Sequence, residues 1–310
     1  MKKLIASMIA GVCLSTAANA ATEITWWHAM GGNLGETVNA IAKDFNASQS
    51  DVILTPVYKG GYEDTMTAGI AAFRAGEQPH IIQIFDAGAA TIINAKGAVL
   101  PVEDLLSKHG VGFDKNNYIS GVRSFYADNA GKMVGMPFNS STPVMYYNKE
   151  AFKKAGLTLP PATWEDYEMR VAPALKKAGY IGLAQSHSPW IFSENFHSRH
   201  NLPMATNNNG FGGLETQILY NNDAMITHYS KLAEWQDKGY YKYFGRAWGD
   251  NQNAFVNQDV AIWLGSSGSF GGLKKSAEFE FGTTYLPYWH AITQEPTNTC
   301  TGGAALFAMP

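Results

Sequence analysis

Three polar side chains stand where a predicted strand gives way to a helix or turn, the position at which open α/β sheets bind ligands. Asp86 follows the apolar segment 80–85, Ser266 follows the strand-like segment 260–264, and Ser141 precedes another short strand. Serine hydroxyls and free backbone N–H groups at a helix start can hold a phosphate. An aspartate can accept hydrogen bonds from ligand hydroxyls. The chemistry on offer is therefore hydrogen bonding to an oxygen-rich ligand.

Two of these positions also have a structural interpretation. Asp86 could cap the helix that follows it, and taken alone this is somewhat the better explanation. Ser266 could likewise cap a helix. It lies in the run GSSGS at 265–269, which leaves the cap and the phosphate site evenly matched.

Aromatic side chains at element ends could stack on a sugar-like face of a ligand. Trp26, Trp27, Tyr62 and Trp190 occupy such positions. Most aromatic residues belong to cores, however, and for Trp26 and Trp27 core packing is the better interpretation.

The sequence contains no G-x-S-x-G elbow, Walker A loop or H-E-x-x-H motif, which is weak evidence against an enzyme. The closest histidine pair, His197 and His200, has no carboxylate or cysteine beside it at metal spacing. We therefore expect no metal and no cofactor. The enzymatic alternative is an exported phosphoesterase that uses Asp86 and His28 as acid–base groups.

The elements that must position these residues alternate between strand and helix. Strands are predicted at 23–27, 51–58, 80–85, 144–147, 181–184 and 260–264, and helices at 36–47, 62–75, 89–95, 148–156, 163–178, 224–237 and 270–277. This alternation predicts an α/β fold with mostly parallel sheets flanked by helices. Both halves of the chain show it, which suggests two lobes.

The segment MPFNSSTPVMYYNKE, residues 136–150, lies between these halves. Pro137 and Pro143 bracket the polar run 139–142, and each proline biases the residue before it toward extended backbone. The segment is therefore predicted to be an extended crossing that leads into a buried strand. It could be a hinge that also presents hydrogen bonds, or only a polar surface loop.

Farther along, the helix at 163–178 has clear start and stop signals. Thr163 is the predicted cap, with an acid three residues on, and Gly179 is the predicted stop. Pro173 is expected to kink this helix.

The first twenty residues resemble a secretory signal peptide. Lys2 and Lys3 precede the apolar run 4–14, and the A-x-A sequence at 18–20 is a cleavage site. Its removal would leave 21 basic against 26 acidic residues, a net charge of −5. A mildly acidic chain without a basic run argues against binding to nucleic acid or a membrane surface. Cys300 would be the one remaining cysteine, so no internal disulfide is expected.

The chain ends in TGGAALFAMP, residues 301–310, which reads as a loop entering a buried strand. No closing helix follows that strand. We therefore expect the sequence to be truncated at its C-terminus.

Several runs resemble the periplasmic sn-glycerol-3-phosphate-binding proteins of ABC importers, a subfamily of the extracellular solute-binding proteins. The runs AGIAAFR and PFNSSTP are specific to that subfamily, whereas NK-x-AF-KKAG and TW-x-D are common to solute-binding proteins generally. The resemblance covers the mature chain and rests on these segments: 26–28, 58–76, 137–157, 160–167, 194–196, 202–203, 208–211, 266–269 and 301–306.

The resemblance implies a two-lobed periplasmic-binding-protein fold of type II, with the ligand in a cleft between the lobes. It divides the chain into a signal peptide (1–20), a first lobe (21–139), a second lobe (140–300) and a strand returning to the first lobe (301–310). It implies a periplasmic monomer that binds sn-glycerol 3-phosphate or a glycerophosphodiester and delivers it to membrane permease subunits. A receptor of the same fold for an oligosaccharide is the nearest alternative.

The resemblance also assigns ligand contacts, and here the chain departs from the subfamily at two positions. Asp86 stands where the subfamily commonly has glutamate, and His187 aligns with a second tryptophan. A further tyrosine and an arginine of the subfamily site would lie beyond Pro310. The expected ligand-binding residues are Tyr62, Asp86, Ser141, Trp190, Ser266 and Gly303.

Overall fold

The fold was analysed in a computed structural model that describes residues 20–95, 97–186, 188–210, 215–245, 248–297, 299 and 302–310. The predicted signal segment, apart from Ala20, lies outside the described residues, as do His187 and Cys300. Within the described ranges, no helix has both the length and the apolar character needed to cross a membrane.

The strands form two sheets. The first has the order β2-β1-β3-β9-β4 and the second the order β6-β7-β5-β8. Their bounds are β1 Thr22–His28, β2 Val52–Tyr58, β3 Ile81–Phe85, β4 Met136–Ser141, β5 Pro143–Asn148, β6 Ile181–Gln185, β7 Val260–Ser266, β8 Phe281–Thr284 and β9 Gly302–Ala308. The α/β class and the two-sheet architecture agree with the prediction.

The sheets are mixed, so the prediction of mostly parallel sheets is wrong in this respect. Strand β1 runs parallel to β2 and β3, and β6 runs parallel to β7. The pairs β3–β9, β4–β9, β5–β7 and β5–β8 are antiparallel. The reason lies in the chain order: strand β9 returns to the first sheet after the strands of the second and inserts between β3 and β4, so no strand–helix–strand crossover sets its direction.

The helices surround these sheets. Their bounds are α1 Gly32–Ser48, α2 Tyr62–Ala75, α3 Asp86–Ile93, α4 Val102–Lys108, α5 Ser120–Phe125, α6 Lys149–Lys154, α7 Trp164–Asp166, α8 Ala172–Lys177, α9 Asn195–Arg199, α10 Thr206–Asn209, α11 Asp223–Asp237, α12 Trp248–Val256 and α13 Phe270–Ser276. Most agree with the predicted segments, while α4, α5, α9, α10 and α12 lie where no helix was predicted.

The segment 163–177 is a helix interrupted by a wide turn. The Thr163 side chain accepts a hydrogen bond from the Asp166 backbone N–H at 3.2 Å, which confirms the predicted cap. A π-helical turn, Tyr167–Val171, joins α7 to α8 just before Pro173. Because proline lacks an N–H, this wider turn accommodates Pro173 inside the helix.

Each sheet supports its own core. Ile82, Ile84 and Phe307 belong to the core of the first sheet. The core of the second sheet is larger and rich in aromatic rings, with Trp235 fully buried. Trp26 is buried and packs edge-on against another ring, so its assignment to the core is confirmed.

Candidate functional site

A cavity of about 860 Å³ lies between the two sheets. The first sheet contributes the ends of β1, β3, β4 and β9 and the starts of α1 and α2, and the second contributes Trp190 and the segment after β7. All six predicted site residues line this cavity: Tyr62, Asp86, Ser141, Trp190, Ser266 and Gly303. The structure thus brings together residues up to 241 positions apart in the sequence. Their contact with a ligand stays a prediction.

Tyr62 is the first residue of α2, and its ring is fixed from two sides. It stacks on Phe85 with ring centroids 5.4 Å apart and planes 5° from parallel. Its hydroxyl oxygen accepts a hydrogen bond from Asn139 Nδ2 at 2.9 Å. Burial and the nearby carboxylate of Asp86 raise the pKa of Tyr62, while the hydrogen bond from Asn139 opposes this. The phenol therefore stays protonated and can donate its hydrogen.

Asp86 is the first residue of α3 and is not its N-cap, which is Phe85. Burial raises the pKa of Asp86 to about 6, although backbone N–H groups of Asp86 and Ala87 partly oppose this. The carboxylate oxygen Oδ2 is buried and accepts no hydrogen bond from any described residue. That oxygen is an acceptor able to take a ligand hydroxyl.

The two serines approach the cavity from different strands. Ser141 ends β4, where it is paired with Gly302 of β9. Ser266 ends β7, and its hydroxyl accepts a hydrogen bond from the Gly268 N–H at 3.0 Å. Ser266 therefore caps the 3-10 turn Ser267–Ser269 that leads into α13, which confirms its interpretation as a cap. It also lines the cavity.

Trp190 closes the second-sheet side of the cavity. Its backbone carbonyl accepts a hydrogen bond from Asn195 Nδ2 at 2.9 Å. Its indole lies so close to Gly302 that a Cβ at that position would come within 2.6 Å of the ring. The neighbouring Gly303 has φ +143° and lies against the carbonyl oxygen of Asn139. Glycine at both positions allows β9 to approach this wall closely.

The crossing is part of the sheet, so its interpretation as a polar surface loop is wrong. Strand β4 pairs with β9 along its length, and the pairing shifts register between Pro137 and Asn139. This bulge leaves Phe138 to pack against Trp26 at a centroid distance of 5.1 Å, and bulges commonly re-aim neighbouring side chains in this way. Asn139 lines the cavity and was not among the predicted site residues. The polar run at 139–142 was the available signal.

The described lining holds acidic groups but no lysine or arginine. Glu63 and Asp64 join Asp86 at this wall. Among the described residues, no group of three histidine, cysteine or acidic side chains could hold a metal ion. His28 is buried and accepts a hydrogen bond from the Met30 N–H at 3.3 Å through Nδ1, and it is not among the lining residues. The lining is therefore suited to binding through neutral donors and carboxylate acceptors.

Two sheets with a cavity between them, lined by side chains from both, are the architecture of a solute-binding protein. The model of the family "Bacterial extracellular solute-binding protein" matches residues 31–298, and the chain belongs to this family. It is 41% identical over 310 residues to the sn-glycerol-3-phosphate-binding periplasmic protein UgpB of Pectobacterium atrosepticum, covering 98% of this chain and 69% of that protein. The protein of the same name from Escherichia coli is 40% identical over 303 residues, covering 96% and 68%.

Solved structures show the same fold. UgpB from Mycobacterium tuberculosis in complex with glycerophosphocholine matches with a TM-score of 0.75 at 21% identity, covering 93% of this chain and 72% of that one. The GacH receptor of Streptomyces glaucescens matches with a TM-score of 0.79 at 18% identity, covering 93% and 71%. At these identities the likeness concerns the fold alone.

Proposed function

We propose that this protein is the receptor of an ABC importer and captures sn-glycerol 3-phosphate or a glycerophosphodiester. The observation that carries the proposal is the convergence of six predicted contact residues from both sheets on one cavity. The names of the relatives at 40–41% identity support the choice of ligand. The reaction is binding and release, with no covalent step.

Within this proposal, each wall of the cavity has its own role. Tyr62 and Asp86 bind from the first-sheet side, with Asp86 accepting from the glycerol hydroxyls. Ser141 and Ser266 hold polar ligand oxygens, Gly303 offers its backbone N–H, and Trp190 packs against the ligand. Their shared cavity and the donors and acceptors described above support these roles.

The proposed lobes are residues 21–139 and 140–300, with 301–310 returning to the first. The direct passage from β4 to β5 through Thr142 supports a hinge at this crossing. The Thr142 hydroxyl lies 3.0 Å from that of Thr299, a residue that precedes the returning strand β9 in the sequence. Closure of the lobes around the ligand would present one surface to the permease subunits.

The protein is proposed to work in the periplasm as a monomer after cleavage following Ala20. The arrangement of Lys2, Lys3 and the apolar run 4–14 supports export, and the relatives are named as periplasmic proteins. The same relatives are named as binding proteins, which supports a binding role without catalysis.

The test is a thermal melt of the mature protein with five compounds: sn-glycerol 3-phosphate, glycerophosphocholine, glycerol, inorganic phosphate and maltose. A ligand that binds the native state alone raises the melting temperature by mass action. We expect a rise with glycerol 3-phosphate or its diester and none with glycerol or phosphate. A rise with maltose alone would contradict the proposed ligand and favour an oligosaccharide receptor.

A further inference from the structure

A glutamine lies inside the first sheet without touching the cavity. Gln83 is fully buried in β3, between Ile82 and Ile84 of the apolar core. A buried amide costs free energy unless its hydrogen bonds are made, and an aliphatic side chain would fill the same space without that requirement. The partners of Gln83 therefore indicate what its polarity does.

Both ends of the Gln83 amide are paired. Its Oε1 accepts a hydrogen bond from the Ala29 backbone N–H at 2.8 Å. Its Nε2 donates to Asn139 Oδ1 at 2.7 Å. Asn139 Nδ2 in turn donates to the Tyr62 hydroxyl oxygen at 2.9 Å. Three consecutive hydrogen bonds thus connect a backbone amide of the first sheet to a side chain of the cavity wall.

The donor and acceptor roles along these three hydrogen bonds are set by the Ala29 backbone N–H, where the series begins. The Ala29 N–H is a donor and cannot accept, so the Gln83 oxygen must face it. The amide nitrogen of Gln83 then faces Asn139, which must present its own oxygen. The nitrogen of Asn139 consequently faces Tyr62. Reversing any one amide would place two donors or two acceptors together.

We infer that Gln83 and Asn139 are positioning residues that make the Tyr62 hydroxyl a hydrogen-bond donor toward the cavity. Since its oxygen already accepts from Asn139, the hydroxyl proton of Tyr62 is directed elsewhere. This selects a ligand with an acceptor oxygen at that point, such as a phosphate or ester oxygen. The inference rests on the proposed function for the identity of the ligand, but not for the direction of the bonds.

The direction in which the Tyr62 hydroxyl donates matters because the described lining contains no cationic side chain. A neutral donor aimed at an anionic oxygen makes a charge-assisted bond, which is stronger than a neutral one. The same hydroxyl turned into an acceptor would set two lone pairs against the phosphate. Gln83 thus acts on the ligand through Tyr62 from a position the ligand does not reach.

The experiment compares Gln83→Glu with Gln83→Met. In its ionised form the side chain that Gln83→Glu introduces accepts from Ala29 and presents a second acceptor to Asn139, whose amide must then turn. Because burial favours the protonated form, which donates to Asn139 as glutamine does, the titration is made at pH 9 as well as at pH 7. Tyr62 would donate to the turned amide and face the cavity as an acceptor. Calorimetric titration with glycerol 3-phosphate should show at least a tenfold loss of affinity in Gln83→Glu and a smaller loss in Gln83→Met.

The control is the Tyr62→Phe background, which has no hydroxyl to direct. Both Gln83 substitutions should have no further effect on affinity there. A loss in Gln83→Glu that persists in this background would reflect repulsion by the new charge and would overturn the inference. Should Gln83→Glu fail to fold, Gln83→Met is compared in the wild-type and Tyr62→Phe backgrounds instead. A loss of affinity in the wild-type background alone supports the inference, and an equal loss in both overturns it.

A second readout needs no ligand and separates this inference from the proposed function. The ¹³Cζ chemical shift of Tyr62, assigned with Tyr62→Phe, reports whether the phenol accepts or donates. It should change between the wild-type protein and Gln83→Glu. An unchanged shift would refute the relay even if glycerol 3-phosphate binds, and a failure of every glycerophosphate to bind the wild type would refute the proposed function alone.

Discussion

At the scale of single residues, the burial of Asp86 makes the stability of the protein depend on pH. Its pKa is raised from 3.8 to about 6 by burial, so the folded protein holds this proton more tightly than the unfolded chain. The contribution of Asp86 to stability therefore falls as pH rises from about 4 to 6. Above pH 6 the ligand-free protein keeps a buried, incompletely paired carboxylate, which a ligand hydroxyl could satisfy.

The first prediction follows from that carboxylate. The affinity for glycerophosphocholine should fall as the pH is lowered from 7 to 5, because the protonated carboxyl accepts hydrogen bonds less well. A diester is the suitable ligand since, unlike a monoester, it has no ionisation near pH 6. Calorimetric titrations at several pH values would measure this, with Asp86→Asn as the matched control that should remove the trend. An affinity that rises on acidification would instead place Asp86 against the phosphate.

Two adjacent glycines should respond differently to the same substitution. Gly303→Ala forces a side chain onto the Asn139 carbonyl at φ +143°, a region that L residues rarely adopt. We expect it to lose about 2 kcal/mol or more of unfolding free energy in urea. Gly302→Ala meets the side chain of Trp190 rather than backbone, at a position without positive φ, and should reduce ligand affinity more than stability. Equal stability of the two variants would contradict this account of β9.

At the scale of elements, helix α9, helix α11 and the segment around Trp289 meet at two buried histidines. His200 Nε2 accepts from the Trp289 backbone N–H at 2.8 Å, and His228 Nδ1 accepts from its indole N–H at 3.1 Å. Burial lowers the pKa of His200 to about 4. Burial, and secondarily the electrostatic interaction with His200, lowers the pKa of His228 to about 3. Burial thus holds each ring neutral, and each neutral ring serves as an acceptor for Trp289.

This arrangement predicts sensitivity to acid. A histidine whose folded pKa is depressed gives its full stability above its unfolded pKa of 6.5, and this is lost as the pH falls toward 4. Each histidine lowers the free energy of unfolding by about 1.4 kcal/mol for every pH unit below 6.5. By pH 5 the loss is roughly 2 kcal/mol for each histidine. Urea unfolding between pH 7 and 5 would measure the loss. His228→Asn keeps an acceptor for Trp289 without a titrating ring, and it should weaken the dependence. An unchanged dependence of unfolding free energy on pH in this variant would show that other groups cause the loss.

Local sequence signals predicted individual elements well. Helix α6 lies within the predicted segment 148–156, the predicted cap at Thr163 is present, and the cap interpretation of Ser266 is confirmed. The bulge at Phe138 could not be predicted, because it depends on pairing with β9, more than 160 residues away. The role of Gln83 could not be predicted for the same reason, since its partners are Ala29, which follows β1, and Asn139 of β4.

At the scale of the whole molecule, the number of sheets could be predicted but the strand directions could not. Strand–helix alternation is a local pattern, and it favours parallel pairing wherever a helix connects neighbouring strands. Strand β9 instead inserts between β3 and β4 after a long path through the second sheet, and it pairs antiparallel with both. The cavity wall at Gly302 and Gly303 exists because of that insertion. The resemblance to a known subfamily, rather than periodicity, is what linked Gly303 to the site.

The arrangement of cavity and crossings predicts a change of shape. Tyr62 and Ser266 line one cavity from different sheets, and Thr142 of the crossing contacts Thr299 through the two hydroxyls. A ligand that bonds to both walls favours the state in which they are close, so it should shift the protein toward a closed form. Small-angle X-ray scattering should therefore show a smaller radius of gyration with glycerol 3-phosphate, and no change with glycerol or inorganic phosphate. Tyr62→Phe and Ser266→Ala, one on each wall, should require more ligand for the same compaction and leave the free protein unchanged. Binding without compaction would mean that the cavity does not lie between moving lobes.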